Sequence, residues 1–249
     1  MPGAELRPLR IATYNIHDAV RTDRSFSPGR IAAVLAELGA DIVAVQEVGL
    51  HSTGIDVLAF LRDATGYASV LGPTRLRHAG EYGNALLTRF AVQDTTLIDL
   101  TFMRREARGA LDVVLDCDGA PLRVIATHLG LRPAERRAQI QQLLRVLEAQ
   151  TPFPTVLMGD LNEWFLWGRP LRWLHAHFEK TSAAATFPAN APVFALDRIW
   201  VEPRSLLSRI WVHSSPLARS ASDHLPLLAE IALMATADRR AESPSASHV

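Results

Sequence analysis

Asp160 and Asn162 stand two residues apart in "GDLNEW" (159–164), directly after the apolar run "TVLM" and before a cluster of aromatics. Asn15, Glu47, His128, Asp197, Asp223 and His224 occupy similar positions, at or beside the ends of other apolar runs. Taken singly, an Asn or Asp at such a point makes a turn or caps a helix. Their recurrence points elsewhere, because an ionised carboxylate beside a core is costly unless it is paired or metal-bound. The side chains are expected to converge on one pocket. Glu47, Asp160, Asp223 and the amide oxygens of Asn15 and Asn162 are hard oxygen donors, the kind Mg²⁺ or Mn²⁺ prefers. No H-E-x-x-H spacing supports zinc. A magnesium-like ion with few protein ligands keeps waters that it exchanges for phosphate oxygens, which points to phosphoester hydrolysis.

Such a site needs strands that end together. "RIATYNIHD" reads as a short strand with a polar exit. "SPGRIAAVLAELGAD" reads as a helix, with Ser27 as cap, Pro28 at its first position, Ile31, Val34, Leu35 and Leu38 on one face, and Gly39 as its stop. "DIVAVQEV" is then a buried strand ending at Gln46–Glu47. The same grammar returns in "PLRVIATHLG", in the helix "RPAERRAQIQQLLRVLEAQ" with Ile140, Leu143, Leu144 and Leu147 on one face, and in "TVLMGDLN". Between these units "GIDVLAFLRDATG" predicts a helix and "PTRLRHAGEYG" a loop, while "NALLTR", "DTTLIDL" and "GALDVVLDCDG" are short strands. "ALDRIWVE", "LSRIWVH" and "SDHLPLLAEIAL" close the series as strands. Helical crossovers mixed with hairpins favour an α/β or mixed-sheet sandwich over a doubly wound sheet, and no Gly-rich phosphate loop is present.

The 249 residues suffice for one sizeable core. Lys+Arg and Asp+Glu are equal at 26 each, so no global positive field gathers nucleic acid. Cys117 is the only cysteine, which excludes an internal disulfide and a Cys-rich metal site. The N-terminus lacks the apolar stretch of a signal peptide, and no window is long enough for a membrane span, so a cytoplasmic monomer is expected.

The ordered motifs "TYNIH", "VQEV", "YGNALLTR", "ATHLG", "GDLNEW", "LDRIWV" and "SDHLPLLAEI", spanning residues 11–232, resemble the endonuclease/exonuclease/phosphatase superfamily. The resemblance implies an α/β four-layer sandwich of two packed mixed β-sheets flanked by helices. It places a single catalytic domain at 10–233, after an N-terminal extension at 1–9 and before a disordered tail at 234–249. By the same resemblance Glu47 is the principal metal ligand, with Asn15 beside it and Asp223 on the metal side. Asp160 orients or deprotonates the attacking water, and Asn162 contacts phosphate oxygens. His224, paired with Asp197, donates to the transition state, and His128 acts from the other side of the phosphate. Tyr82, Asn84 and Arg108 match pocket-facing positions near the phosphate.

The sequence also departs from the family's DNA-repair members. His17 stands where abasic-site endonucleases carry an acidic residue, and the basic loops "PTRLRHAGE" and "MRREARG" contain no interleaved aromatics for base stacking. The expected substrate is therefore a small phosphorylated metabolite or a lipid headgroup, cleaved as a phosphodiester by inline water attack with Mg²⁺ or Mn²⁺. A DNA or RNA nuclease of the same fold is the alternative, and a non-enzymatic binding protein the reading from a different class. Trp164, Phe165, Trp167 and Trp173 either pack a short helix or line the substrate site.

Overall fold

The structure is a computed structural model that describes residues 8–21, 23–49, 54–77, 80–148 and 151–233. The expected tail 234–249 and residues 1–7 of the expected extension lie outside the described residues.

Eleven strands form two mixed sheets among the described residues. The first contains, in spatial order, β10 (Leu207–Val212), β11 (Leu227–Ile231), β1 (Leu9–Asn15), β2 (Ile42–Gly49), β4 (Gly80–Thr88) and β3 (Ala68–Arg77). The second runs β5 (Ala91–Asp99), β6 (Gly109–Cys117), β7 (Ala120–His128), β8 (Thr155–Asp160) and β9 (Asp197–Glu202). Each sheet has one parallel pair, β1 with β2 and β7 with β8. Parallel neighbours need a long crossover, and the two best helices in the sequence supply it. These are α1 (Pro28–Leu38) in the first sheet and α3 (Pro133–Glu148) in the second. All other pairings are antiparallel.

The sheets pack face to face over a core that includes Ile11, Ile42, Leu86, Leu111, Val124, Met158, Ile199 and Ala229. On the outer side of the first sheet lie α1, α2 (Val57–Thr65) and α5 (Pro216–Ala221), over Tyr14, Val43 and Leu228. On the outer side of the second lie α3 and α4 (Arg169–Phe178), over Ile125, Leu157 and Trp200. Helix, sheet, sheet, helix is the four-layer α/β order that the motifs imply.

In α1 the expected face Ile31, Val34, Leu35 and Leu38 is buried, and Gly39 ends the helix with φ 53°. Ser27 occupies the cap position without a side-chain cap bond. One expectation needs correction: the predicted loop "PTRLRHAGEYG" is for the most part strand. β3 runs to Arg77 and β4 begins at Gly80, with a register shift between Pro73 and Arg75. The stretch across the β3–β4 turn is rich in polar residues and interrupted by Pro and Gly, so it lacks the apolar alternation by which a strand is recognised.

Candidate active site

The site lies where the inter-sheet core runs out. Along β1 the inward side chains are Leu9, Ile11, Thr13 and Asn15; along β8 they are Val156, Met158 and Asp160. Because strand side chains alternate with period two, each polar residue continues the row of core residues before it. His128 does the same on β7 and Asp197 on β9. Register then aligns them, with His128 opposite Asp160 and Asp160 opposite Asp197. Gly159 makes the close approach possible. Its φ is 150°, and a Cβ there would sit 1.9 Å from the Thr127 carbonyl oxygen. The glycine of "GDLN" is therefore required by the backbone beside it.

The first sheet meets this row from the other side. Thr13 and Gln46, both buried, exchange side-chain hydrogen bonds of 3.1 and 3.3 Å and tie β1 to β2 just before Asn15 and Glu47. Val45 and Val48 both face the outer helices, so one extra residue lies between them, and the pairing with β4 shifts register at that point. This bulge allows Glu47 as well as Gln46 to turn toward the pocket. Glu47 adopts φ 58°, a strained conformation for a residue with a side chain.

Asp160 is the hub. Its Oδ2 accepts from Asn15 Nδ2 at 3.1 Å, and its Oδ1 accepts from the Asn162 backbone N–H at 2.9 Å. Asn15 Nδ2 also donates to Glu47 Oε1 at 3.0 Å, so a single amide spans two carboxylates. Arg108 Nη1 lies 2.9 Å from His128 Nδ1, and a guanidinium can only donate. The neutral His128 ring therefore carries its hydrogen on Nε2, which stands 3.4 Å from Asp160 Oδ2. Burial first, with Arg108 and His224 adding to it against the pull of Asp160, pushes the His128 pKa down to about 3. Asn162 Nδ2 donates to Leu129 O at 2.9 Å and lies 3.0 Å from His128 Nε2. Two neighbouring hydrogen-bearing nitrogens suit an acceptor that both can share, such as a phosphate oxygen.

His224 has the opposite character. Its Nδ1 is 2.8 Å from Asp197 Oδ2, which also accepts from Thr186 Oγ1 at 2.5 Å. Burial opposes a charge on this ring, but Asp197, Asp160 and Asp223 outweigh it and raise the pKa to about 10. Nε2 is 3.8 Å from Asp160 Oδ2. Ser222 Oγ donates to Asn15 O at 2.8 Å and accepts from the His224 backbone N–H at 3.3 Å, tying the α5–β11 turn to the end of β1. Asp197 Oδ1 is buried with no hydrogen-bond partner among the described residues.

Two donor sets could hold a divalent cation. Ligand atoms of Asp160, Asp197 and His224 lie within 4.8 Å of one another, a buried cluster able to coordinate a metal. His224 Nδ1 is engaged with Asp197 Oδ2 at 2.8 Å, which leaves Nε2, 3.8 Å from Asp160 Oδ2, as the ring nitrogen open to a ligand. Glu47 and Asp160 offer hard carboxylate oxygens on either side of Asn15 Nδ2, whereas Asn15 Oδ1, the ligand atom the resemblance implies, accepts from the His17 backbone N–H at 3.0 Å.

These residues line a cleft of about 350 Å³ together with His17, Tyr82, Glu106, Arg108, Leu131, Trp164, Phe187, Leu196 and Asp223. Asn84 is buried outside that lining and donates to Gly109 O at 3.0 Å, next to Arg108 in the chain. Of the aromatics after "GDLN", Trp164 reaches the cleft, Phe165 and Trp167 are exposed, and Trp173 packs against the outer core of the second sheet. The sequence reading passed over Thr186, Ser222, Glu106 and Phe187. Ser222 adjoins "DH" and Glu106 lies two residues before Arg108, whereas nothing local singles out Thr186 or Phe187.

A profile described as the endonuclease/exonuclease/phosphatase family matches residues 12–224. "Uncharacterized protein YbhP" of Escherichia coli (strain K12) is 31% identical over 251 residues, covering 90% of this chain and 96% of that protein. An endonuclease/exonuclease/phosphatase from Beutenbergia cavernae DSM 12333 superimposes with a TM-score of 0.74 at 25% identity, over 92% of this chain and 72% of that one. An endonuclease/exonuclease/phosphatase from Bacteroides vulgatus gives a TM-score of 0.76 at 20% identity, over 92% of this chain and 100% of that one.

Proposed function

The chain belongs to the endonuclease/exonuclease/phosphatase family, and from that premise we propose that it is a Mg²⁺- or Mn²⁺-dependent phosphodiesterase. Its substrate is a small phosphorylated metabolite or a lipid headgroup. One observation carries the reading: the row His128–Asp160–Asp197 on one sheet faces Asn15 and Glu47 on the other, with His224 bonded to Asp197 beside it.

Glu47 would hold the cation through its carboxylate, with Asp223 nearby on the cleft wall and Asn15 Nδ2 tying Glu47 to Asp160. When bound, it supplies Lewis-acid stabilisation of phosphate oxygens and lowers the pKa of nearby water. Asp160 orients the attacking water in line with the scissile P–O bond and takes its proton. The carboxylate is held in place for this by Asn15 on one oxygen and the Asn162 N–H on the other. As the P–O bond to the leaving group breaks, charge gathers on the phosphoryl oxygens. His224 donates to one of them, while Asp197 keeps its tautomer and its positive charge. His128 Nε2–H and the Asn162 amide share another, with Arg108 fixing the His128 ring from behind.

Glu47, Glu106, Asp160 and Asp223 line the cleft with Arg108 and His224, and a divalent cation brings these charges into balance, so the cleft receives a singly charged phosphodiester without a net field against it. The test compares bis(p-nitrophenyl) phosphate with p-nitrophenyl phosphate, with Mg²⁺, Mn²⁺ or EDTA. Metal-dependent cleavage of the diester is expected, lost in Asp160→Asn and His224→Ala. Turnover insensitive to EDTA, or equal rates in the three proteins, overturns the reading.

A further inference from the structure

From the cleft wall outward, Trp164, Phe165, Leu166 and Trp167 form a run of consecutive exposed large apolar side chains, with Trp167 72% exposed. Such a run is out of place on a solvent-facing loop unless it meets something. Leu131 at 60% exposure and Met103 at 81% stand on the two neighbouring loops, each of which also contributes to the cleft. We propose that this rim docks the protein onto the surface of an anionic lipid bilayer, with the cleft mouth facing the membrane.

Charge selects the occupant. The chain as a whole has a formal net charge of zero, yet Arg104, Arg105, Arg132 and Arg169, the last at the start of α4, are all exposed around the rim. Of the acids nearest to them, Asp99 holds the Thr101 backbone N–H at 2.8 Å, and the carboxylates of Glu47, Asp160 and Asp223 lie within the cleft and not on its rim. Glu163 is buried against Arg136, with Nε to Oε2 at 3.1 Å, and Glu135 is also buried. Glu106 pairs with Arg108 at 3.0 Å and lines the cleft. Arginines interspersed with Trp, Phe, Leu and Met are the composition of a surface that seats apolar side chains at the acyl boundary beneath anionic headgroups. Single-stranded nucleic acid fits less well, because Leu131, Leu166 and Met103 have no flat face for a base to stack on.

The platform is also stiff, so little ordering opposes docking. Arg136 Nη1 donates to Leu131 O at 2.7 Å while its Nε holds Glu163, joining the loop after β7 to the loop after β8. Gln139 Nε2 donates to Leu100 O at 3.1 Å and Gln142 Nε2 to Asp99 O at 2.6 Å, fastening the start of the third loop to the same helix. Phe165 and Trp167 rest on each other with centroids 5.5 Å apart, and Trp164 packs edge-on against Phe194 at 4.8 Å.

The experiment measures binding of the intact protein, in EDTA, to vesicles of phosphatidylcholine with and without phosphatidylglycerol. Sedimentation and quenching of tryptophan fluorescence by brominated acyl chains are the readouts. Neither depends on hydrolysis, so failure here is distinct from failure of the catalytic reading. Binding to the anionic vesicles is expected. It should weaken about tenfold or more in a Phe165→Ala, Leu166→Ala, Trp167→Ala variant with an unchanged circular dichroism spectrum. It should weaken about fivefold for each of Arg104→Ala and Arg105→Ala. Three results overturn the proposal: no partition of the wild type at 0.1 M salt, equal partition of all variants, or binding of single-stranded DNA through the same residues without vesicle binding. A dimer that buries the rim in sedimentation experiments overturns it as well.

Discussion

Arg123 and His128 are carried by the same strand, β7, and both are buried. Arg123 faces the helices, where its Nε and Nη2 grip both oxygens of Asp112 at 2.7–3.2 Å and Nη2 reaches Val146 O at 3.4 Å. Its charge has a complete set of partners. His128 faces the other sheet between two donors, close to carboxylates whose own partners are few, near an Asp197 oxygen with none among the described residues and a Glu47 in a strained backbone. One region spends its polar groups on holding the fold. The other keeps bonding capacity in reserve for a ligand, at some expense in stability.

The largest effect should come from breaking the reserved side. Asp160→Asn is expected to lower diester hydrolysis by about 10²–10⁴-fold with a melting temperature close to that of the wild type, because it relieves a crowd of carboxylates. Steady-state kinetics paired with thermal unfolding checks this, and a severe loss of stability would show that Asp160 is a structural residue. Arg123→Ala should do the reverse. Leaving Asp112 without its partner is expected to remove about 3 kcal/mol of stability while kcat at low temperature stays within about twofold.

The two histidines predict how stability in EDTA varies with pH. His128 has a folded pKa of about 3, below the unfolded value near 6.5, so the unfolded chain binds more protons in that window and stability falls as pH drops through it. His224, raised to about 10, contributes stability that is fully present below about 6.5 and is lost as pH rises toward 10. Denaturant titrations should therefore give a maximum near neutrality. Asp197→Asn should flatten the alkaline limb, and an unchanged limb would remove Asp197 as the source of the His224 charge. The smallest effect on stability belongs to Glu47→Gly. Glycine accepts φ 58° without strain, so stability should hold or rise by up to about 1 kcal/mol while the response of activity to Mg²⁺ weakens.

Much of this arrangement was legible in the sequence because alternation carries information past the end of a core. A polar residue that falls in step with Val156 and Met158 must point where they point, and "GDLN" and "SDH" mark such places. The bulge before Val48 was not legible, since an extra residue in a strand leaves no local trace except a motif. Thr186 was invisible for another reason: its role depends on a loop folding back to bring it to Asp197, a long-range contact that no spacing encodes. The ends of β3 and β4 at their shared turn were not legible as strand because their sequence lacks apolar alternation, and it is the pairing that defines them. Asn84 sits in a recognisable motif, yet its amide serves the backbone next to Arg108 and lies outside the cleft lining.

Each sheet contributes to the proposed site, Asn15 and Glu47 from one, His128, Asp160 and Asp197 from the other. The gap between those groups is set largely by how Ile11, Met158 and Ile199 mesh in the interior. The apolar filling thus acts as the gauge block of a two-jawed vice. Shaving a methyl group from it, far from any substrate, would reset the jaws by a fraction of an ångström and detune the chemistry well before the protein lost its shape.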